Sequence, residues 1–83
     1  MKLREPILKI VNKLYAPDTM INLKFKRYDM AIKTDDKGRA ILLFMGTKKD
    51  NGDIVGERYA RRLKEGENGI IIKDHWEHKG KAT

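Results

Sequence analysis

The chain contains no cysteine and no serine. Without cysteine there is no disulfide framework, no cysteine zinc site and no thiol nucleophile. Without serine the aliphatic hydroxyls are Thr19, Thr34, Thr47 and Thr83, which fall in turns, strand ends or the tail and in no nucleophile motif. Long apolar runs are missing too. The longest covers residues 40–45, far short of the ~20 residues that cross a bilayer as a helix. Behind Met1-Lys-Leu-Arg-Glu-Pro there is neither a long apolar stretch nor a small-residue cleavage site. No signal peptide and no membrane association are therefore expected, and the expected location is cytoplasmic. The glycines at 46, 52, 56, 66, 69 and 80 compose no phosphate loop. Acid–base catalysis needs carboxylates converging in a cleft, for which a thin domain has little room. The expectation is a protein that is not an enzyme and carries no cofactor.

What is present points to a small, heavily charged globule. The 83 residues suffice for one domain, and 40% hydrophobic content with clear patterning is too much for a disordered chain. At this length about 60–65% of the unfolded surface can be buried, which gives a thin core. The net charge of +7 favours polyanionic partners: nucleic acid, anionic membrane or acidic protein.

Residues 3–15 have helical spacing, with Leu3, Ile7, Ile10 or Val11, and Leu14 on one stripe. Pro6 suits the first turn, where its missing N–H costs nothing, and Pro17 stops the helix by disfavouring helical backbone at Ala16. A helix over about 6–15 is expected, packed on a sheet because so short a helix is marginal alone.

From Met20 the period becomes two. Ile21, Leu23 and Phe25 alternate with Asn22, Lys24 and Lys26; the phase then slips, and Tyr28, Met30 and Ile32 are the apolar positions. A bulge near Lys26-Arg27 within one long strand over about 20–34 accounts for the slip, because one extra residue reverses the faces. After a turn centred on Lys37-Gly38, a second strand over about 39–49 begins with unbroken apolar sequence, as expected when both faces are covered. Asn51-Gly52 is the strongest hairpin signal in the chain. A two-residue turn there sets Phe44 opposite Tyr59, and a three-residue turn with a bulge sets Leu43 opposite Tyr59. The third strand, about 54–64, has Val55, Tyr59 and Leu63 on one face and Ile54, Gly56, Arg58, Ala60, Arg62 and Lys64 on the other. A fourth strand follows over about 70–77, with Ile70, Ile72 and Trp76 on one face, and the tail 79–83 is expected to fray. The fold class read from this pattern is α+β, mainly β. It consists of one N-terminal helix packed on a four-stranded, strongly coiled antiparallel β-meander resembling a half-barrel.

The positive charge is concentrated on strands. Residues 20–34 carry four basic side chains against one acid, and residues 58–64 carry four against none, whereas residues 35–53 balance at four against four. Arginines beside an exposed aromatic ring suit a polyanion, with phosphates on the guanidinium groups and bases stacked on the ring. The candidate binding residues are Arg58, Arg62, Lys64, Arg61, Lys24, Lys26 and Tyr59, although alternation separates Arg61 and Tyr59 from Arg58 and Arg62. The expected partner is nucleic acid or another polyanion. The alternative is a protein partner at an exposed sheet edge, which Lys24, Lys26 and Lys73 would shield from uncontrolled pairing. The segment Asp74-His75-Trp76-Glu77-His78 holds both histidines. On a strand their odd spacing points them to opposite faces, so no metal site is expected.

Overall fold

A computed structural model describes residues 5–82, the last of these for its backbone only. Leu3 of the helical stripe and Thr83 of the tail lie outside the described residues. The element order is α1 (Glu5–Val11), β1 (Met20–Phe25), β2 (Tyr28–Thr34), β3 (Ala40–Lys48), β4 (Ile54–Glu65), a short 3-10 turn at Glu67–Gly69, and β5 (Ile71–Ala82). The five strands form one antiparallel sheet in the order β1-β2-β3-β4-β5. No helix among the described residues is long and apolar enough to cross a membrane.

The expected first strand is two strands. Phe25 pairs with Tyr28, and Lys26-Arg27 form the turn between β1 and β2, Lys26 having the left-handed φ of 54°. The phase slip therefore marks a hairpin rather than a bulge. In a two-residue hairpin the flanking residues i and i+3 face each other across the ladder, so their side chains share a face despite the odd spacing. Ile21, Leu23 and Phe25 accordingly lie on the same face as Tyr28, Met30 and Ile32.

Helix α1 is shorter than its sequence stripe and ends at Val11. Beyond it the chain runs along the β2–β3 turn: Leu14 bridges Arg39, and the Tyr15 N–H donates to the Gly38 carbonyl at 2.8 Å. This takes Leu14 off the helix and leaves it 73% exposed, whereas Tyr15 packs back against the core and donates its hydroxyl to the Ile10 carbonyl at 2.7 Å. Ile7 and Val11 of α1 are buried with Met30, Ile32, Ala40, Leu43 and Tyr59, and Leu23, Phe25, Met45 and Trp76 pack around them. This is the core, and it lies on one face of the sheet.

Thr34 is the buried polar residue of that region, and its hydrogen bonds are satisfied. Its hydroxyl donates to the Ala16 carbonyl at 2.7 Å and accepts from the Thr19 N–H at 2.9 Å, tying the loop after α1 to β2. Asp35 organises the next turn by accepting the N–H groups of Lys37 and Arg39 and the Arg39 guanidinium.

The Asn51-Gly52 turn takes the three-residue form. The Gly52 N–H donates to the Lys49 carbonyl, the Lys49 N–H to the Asp53 carbonyl, and Gly52 has φ +93°. The register follows: Leu43 pairs with Tyr59 and Phe44 with Arg58. Near this tip Gly46 pairs with Gly56, and the two strands approach so closely that a Cβ on either residue would collide with a carbonyl of the facing strand. The alternation expected for β4 holds through this point, but burial does not follow it: Val55 on the Tyr59 side is exposed and Ile54 on the Arg58 side is buried.

Strand β5 begins one residue later than expected and continues to Ala82, so the tail is paired rather than frayed: Glu57 pairs with Lys81 and Gly56 with Ala82. Two register shifts against β4 put an extra residue into β5, one at Ile72 and one at Lys79-Gly80. The first breaks the expected alternation, and Ile70 and Ile72 are exposed instead of sharing the Trp76 side. The sheet is not closed. Residues of both outer strands, β1 and β5, border one groove, but the two strands do not pair.

Candidate polyanion groove

The face of the sheet turned away from α1 carries the alternate residues of each strand: Asn22 and Lys24 on β1, Ala31 and Lys33 on β2, Leu42, Phe44 and Lys48 on β3, and Ile54, Arg58, Ala60, Arg62 and Lys64 on β4. An open groove of about 740 Å³ occupies the centre of this face. Ala31, Phe44 and Ile54 contribute apolar surface, Met20 and Asn22 border it from β1, and Gly52 and Asp53 from the hairpin tip. Lys48 and Arg58 are its cations from this face, and Lys81, which pairs with Glu57 of the other parity, borders it from the sheet edge.

The seven residues read from sequence divide between two environments. Arg58, Arg62, Lys64 and Lys24 belong to the groove face, and of these Arg58 lines the groove. Arg62 is held by Glu77 at 2.9 Å. Lys24 pairs with Asp29 across the β1–β2 ladder, and Lys26 sits in the hairpin turn with its ammonium over the Phe25 ring.

Tyr59 and Arg61 belong to the other face, as strand alternation leads one to expect, and so do not line the groove. Tyr59 is 1% exposed, packed in the core opposite Leu43 and against the His78 ring. Arg61 makes a bidentate pair with Asp74 (2.7 and 2.5 Å), donates to the Ala40 carbonyl at 3.3 Å, and lies over Trp76. Its donors and its flat face are occupied within the fold, so it supports structure. The Arg61 guanidinium in turn holds the Asp74 carboxyl below the usual carboxylate range.

Ion pairs occur on both faces. Glu65 is bound by Lys37 and Arg39, Asp35 by Arg39, Glu57 by His78, and Glu77 by Arg62 and Lys79. Among the described residues, Lys48, Arg58 and Lys81 form no ion pair. Of the carboxylates, Asp53 lines the groove, and Asp29, on the same face, accepts the Lys48 backbone N–H at 2.9 Å. His75 and His78 lie on opposite faces, opposite Arg62 and Tyr59 respectively, and no three metal-ligating side chains gather among the described residues.

Sequence reasoning missed Phe44, Lys48 and Lys81. Phe44 belongs to an apolar run expected to be covered on both faces, Lys48 to the solvated end of the expected second strand, and Lys81 to a tail expected to fray. The signal available for Lys81 was Gly80 between two lysines, a residue suited to the bulge that keeps β5 in the sheet. No family model, curated protein or solved structure matches the chain.

Proposed function

We propose that the protein is a non-catalytic binding module that takes a polyanion into the groove between β1 and the β3–β4 tip. The observation that carries this reading is that Lys48, Arg58 and Lys81, without ion-pair partners among the described residues, line a single groove with an apolar floor. Unpaired cations gathered along a concave surface focus positive potential and attract a chain of negative charge.

Three phosphate contacts to a single-stranded ligand predict a slope of log K against log salt of about −2, or roughly 15-fold weaker binding between 50 and 200 mM salt. Titration with a labelled oligonucleotide and with polyphosphate at these two concentrations measures it. Arg58→Glu is expected to weaken binding strongly, and Arg62→Glu much less because Arg62 is committed to Glu77. Absence of binding at low salt, or equal effects of the two substitutions, refutes the groove as the site.

A second reading rests on the exposed Ile70, Ile71 and Ile72 at the start of the outer strand β5, which favour a protein partner added along that edge. It predicts a mass that rises with concentration and hardly responds to salt. Sedimentation equilibrium of the protein and of an Ile72→Lys variant separates it from the first.

A further inference from the structure

We infer that the groove's ligand is single-stranded nucleic acid, with an unpaired base stacked on Phe44; this rests on the proposed role of the groove as a polyanion site. Phe44 is the aromatic residue of the groove lining, and two of its neighbours on that face, Ala31 and Gly46, are small. Across the ladders it meets Ala31 on β2 and Arg58 on β4. The next pair along β3 and β4 toward the tip is Gly46 with Gly56, and Ala60 lies on the other side of Arg58. Phe44 is part-buried, with Leu42 as its other neighbour along β3, and its side chain reaches the groove surface. A ring so placed offers a π-face to a flat ligand, and Arg58 beside it supplies a cation for the phosphate attached to that ligand.

The combination discriminates among polyanions. Polyphosphate or a sulfated glycan can satisfy Lys48, Arg58 and Lys81 but has no planar group for Phe44. Acidic peptides and anionic lipid headgroups carry charge without an obligatory flat ring beside each anion. In a duplex the base faces are already stacked within the helix. In a single strand a base alternates with a phosphate at every step, which matches a ring adjacent to a guanidinium. Other cations of the face, Lys24, Lys33 and Lys64, continue outward from the groove on the same alternation and extend a track for the strand.

The test compares four ligands at low salt by fluorescence anisotropy competition: a ten-residue oligothymidylate, an abasic oligomer of the same length, a duplex of the same length, and polyphosphate. One stacked base is worth ~1–3 kcal/mol, so the oligothymidylate is expected to bind at least about fivefold, and centrally about 30-fold, tighter than the abasic oligomer. Phe44→Leu keeps an apolar side chain without a ring. It is expected to remove that advantage, so that the oligothymidylate binds no tighter than the abasic oligomer. Equal binding of oligothymidylate and abasic oligomer by the unaltered protein overturns the stacking inference while leaving the groove reading intact. A duplex that binds as tightly as the single strand overturns it in the same way. Failure of all four ligands to bind overturns both. The comparison between base-bearing and abasic strands needs no variant, so it stands even if Phe44→Leu impairs folding.

Discussion

Gly46 faces Gly56 across the β3–β4 ladder, at the point where the hairpin tip turns toward the groove. A Cβ at Gly46 would strike the Val55 carbonyl, and one at Gly56 the Met45 carbonyl. These are backbone atoms, which cannot rotate away as a flexible side chain can. Beyond this pair, Ile54 is buried on the groove side and Val55 is exposed on the other. The close approach of two bare backbones thus coincides with the part of the hairpin that carries Lys48, Gly52, Asp53 and Ile54 into the groove wall.

Gly56→Ala is expected to lower stability by at least about 1–3 kcal/mol, the usual cost of overfilling a packed site, and Gly46→Ala by a similar amount. Urea denaturation measures this directly. Wild-type stability in both variants would show that the strands separate readily here, and the account of the groove wall would fail with it. If the folded variants keep their secondary structure, weaker oligonucleotide binding is expected alongside the stability loss.

Thr34→Val preserves shape and removes one hydroxyl. That hydroxyl is the acceptor for the Thr19 N–H and a donor to the Ala16 carbonyl. Both backbone groups then lose a partner in a buried setting, for a cost of about 1–3 kcal/mol. Thermal or urea unfolding should detect it. A neutral result would mean that water replaces the hydroxyl.

Acid should unfold the protein through its carboxylates. At Asp35 burial raises the pKa, but the N–H groups of Arg39 and Lys37 and the Arg39 guanidinium outweigh it and hold the group below its ordinary value. At Asp74 the hydrogen bonds from Arg61 dominate over burial, in the same direction. A carboxyl depressed in the folded state binds fewer protons there than in the unfolded chain. Its contribution is complete above the unfolded value, about 3.9 for Asp, and disappears as pH falls through the lower folded value. The urea midpoint should therefore be level from neutral pH to about 5 and decline below about 4. Asp74→Asn should flatten that decline. An unchanged acid limb in both Asp35→Asn and Asp74→Asn would assign acid unfolding to other groups.

Lys26 holds a left-handed backbone in the β1–β2 turn, where a residue with a Cβ is disfavoured by roughly 1–2 kcal/mol. Lys26→Gly relieves this, while increasing the freedom of the unfolded chain and removing the ammonium from the Phe25 ring. The net expectation is a gain of a few tenths to about 1 kcal/mol. Destabilisation by more than about 1 kcal/mol would show that the contact with Phe25 outweighs the backbone strain.

The legibility of the fold varied with the kind of residue that carried it. Asn51-Gly52 announced its turn because both residues tolerate the backbone that a tight hairpin needs. Lys26-Arg27 announced nothing, since neither residue is a turn former, and the phase slip fits a bulge as well as a two-residue hairpin. Sequence separation of Arg58 from Arg61 was equally plain, because strand alternation admits no exception over three residues. Whether either arginine was free could not be seen: Asp74 and Trp76, which occupy Arg61, lie more than a dozen residues away on β5.

The sequence by itself determined a mainly β protein with one short helix, an antiparallel order of strands, and a basic strand face. These follow from local rules: the period of apolar residues, the turn chemistry, and the parity of side chains along a strand. Only the tertiary structure decided that the sheet has five strands, that the Asn51-Gly52 turn takes three residues, and that Lys48, Arg58 and Lys81 border one groove while Asp74 and Trp76 occupy Arg61. Those outcomes depend on which residues of distant strands face each other. Pairing of that kind is set by the whole sheet and its bulges, and no local pattern contains it.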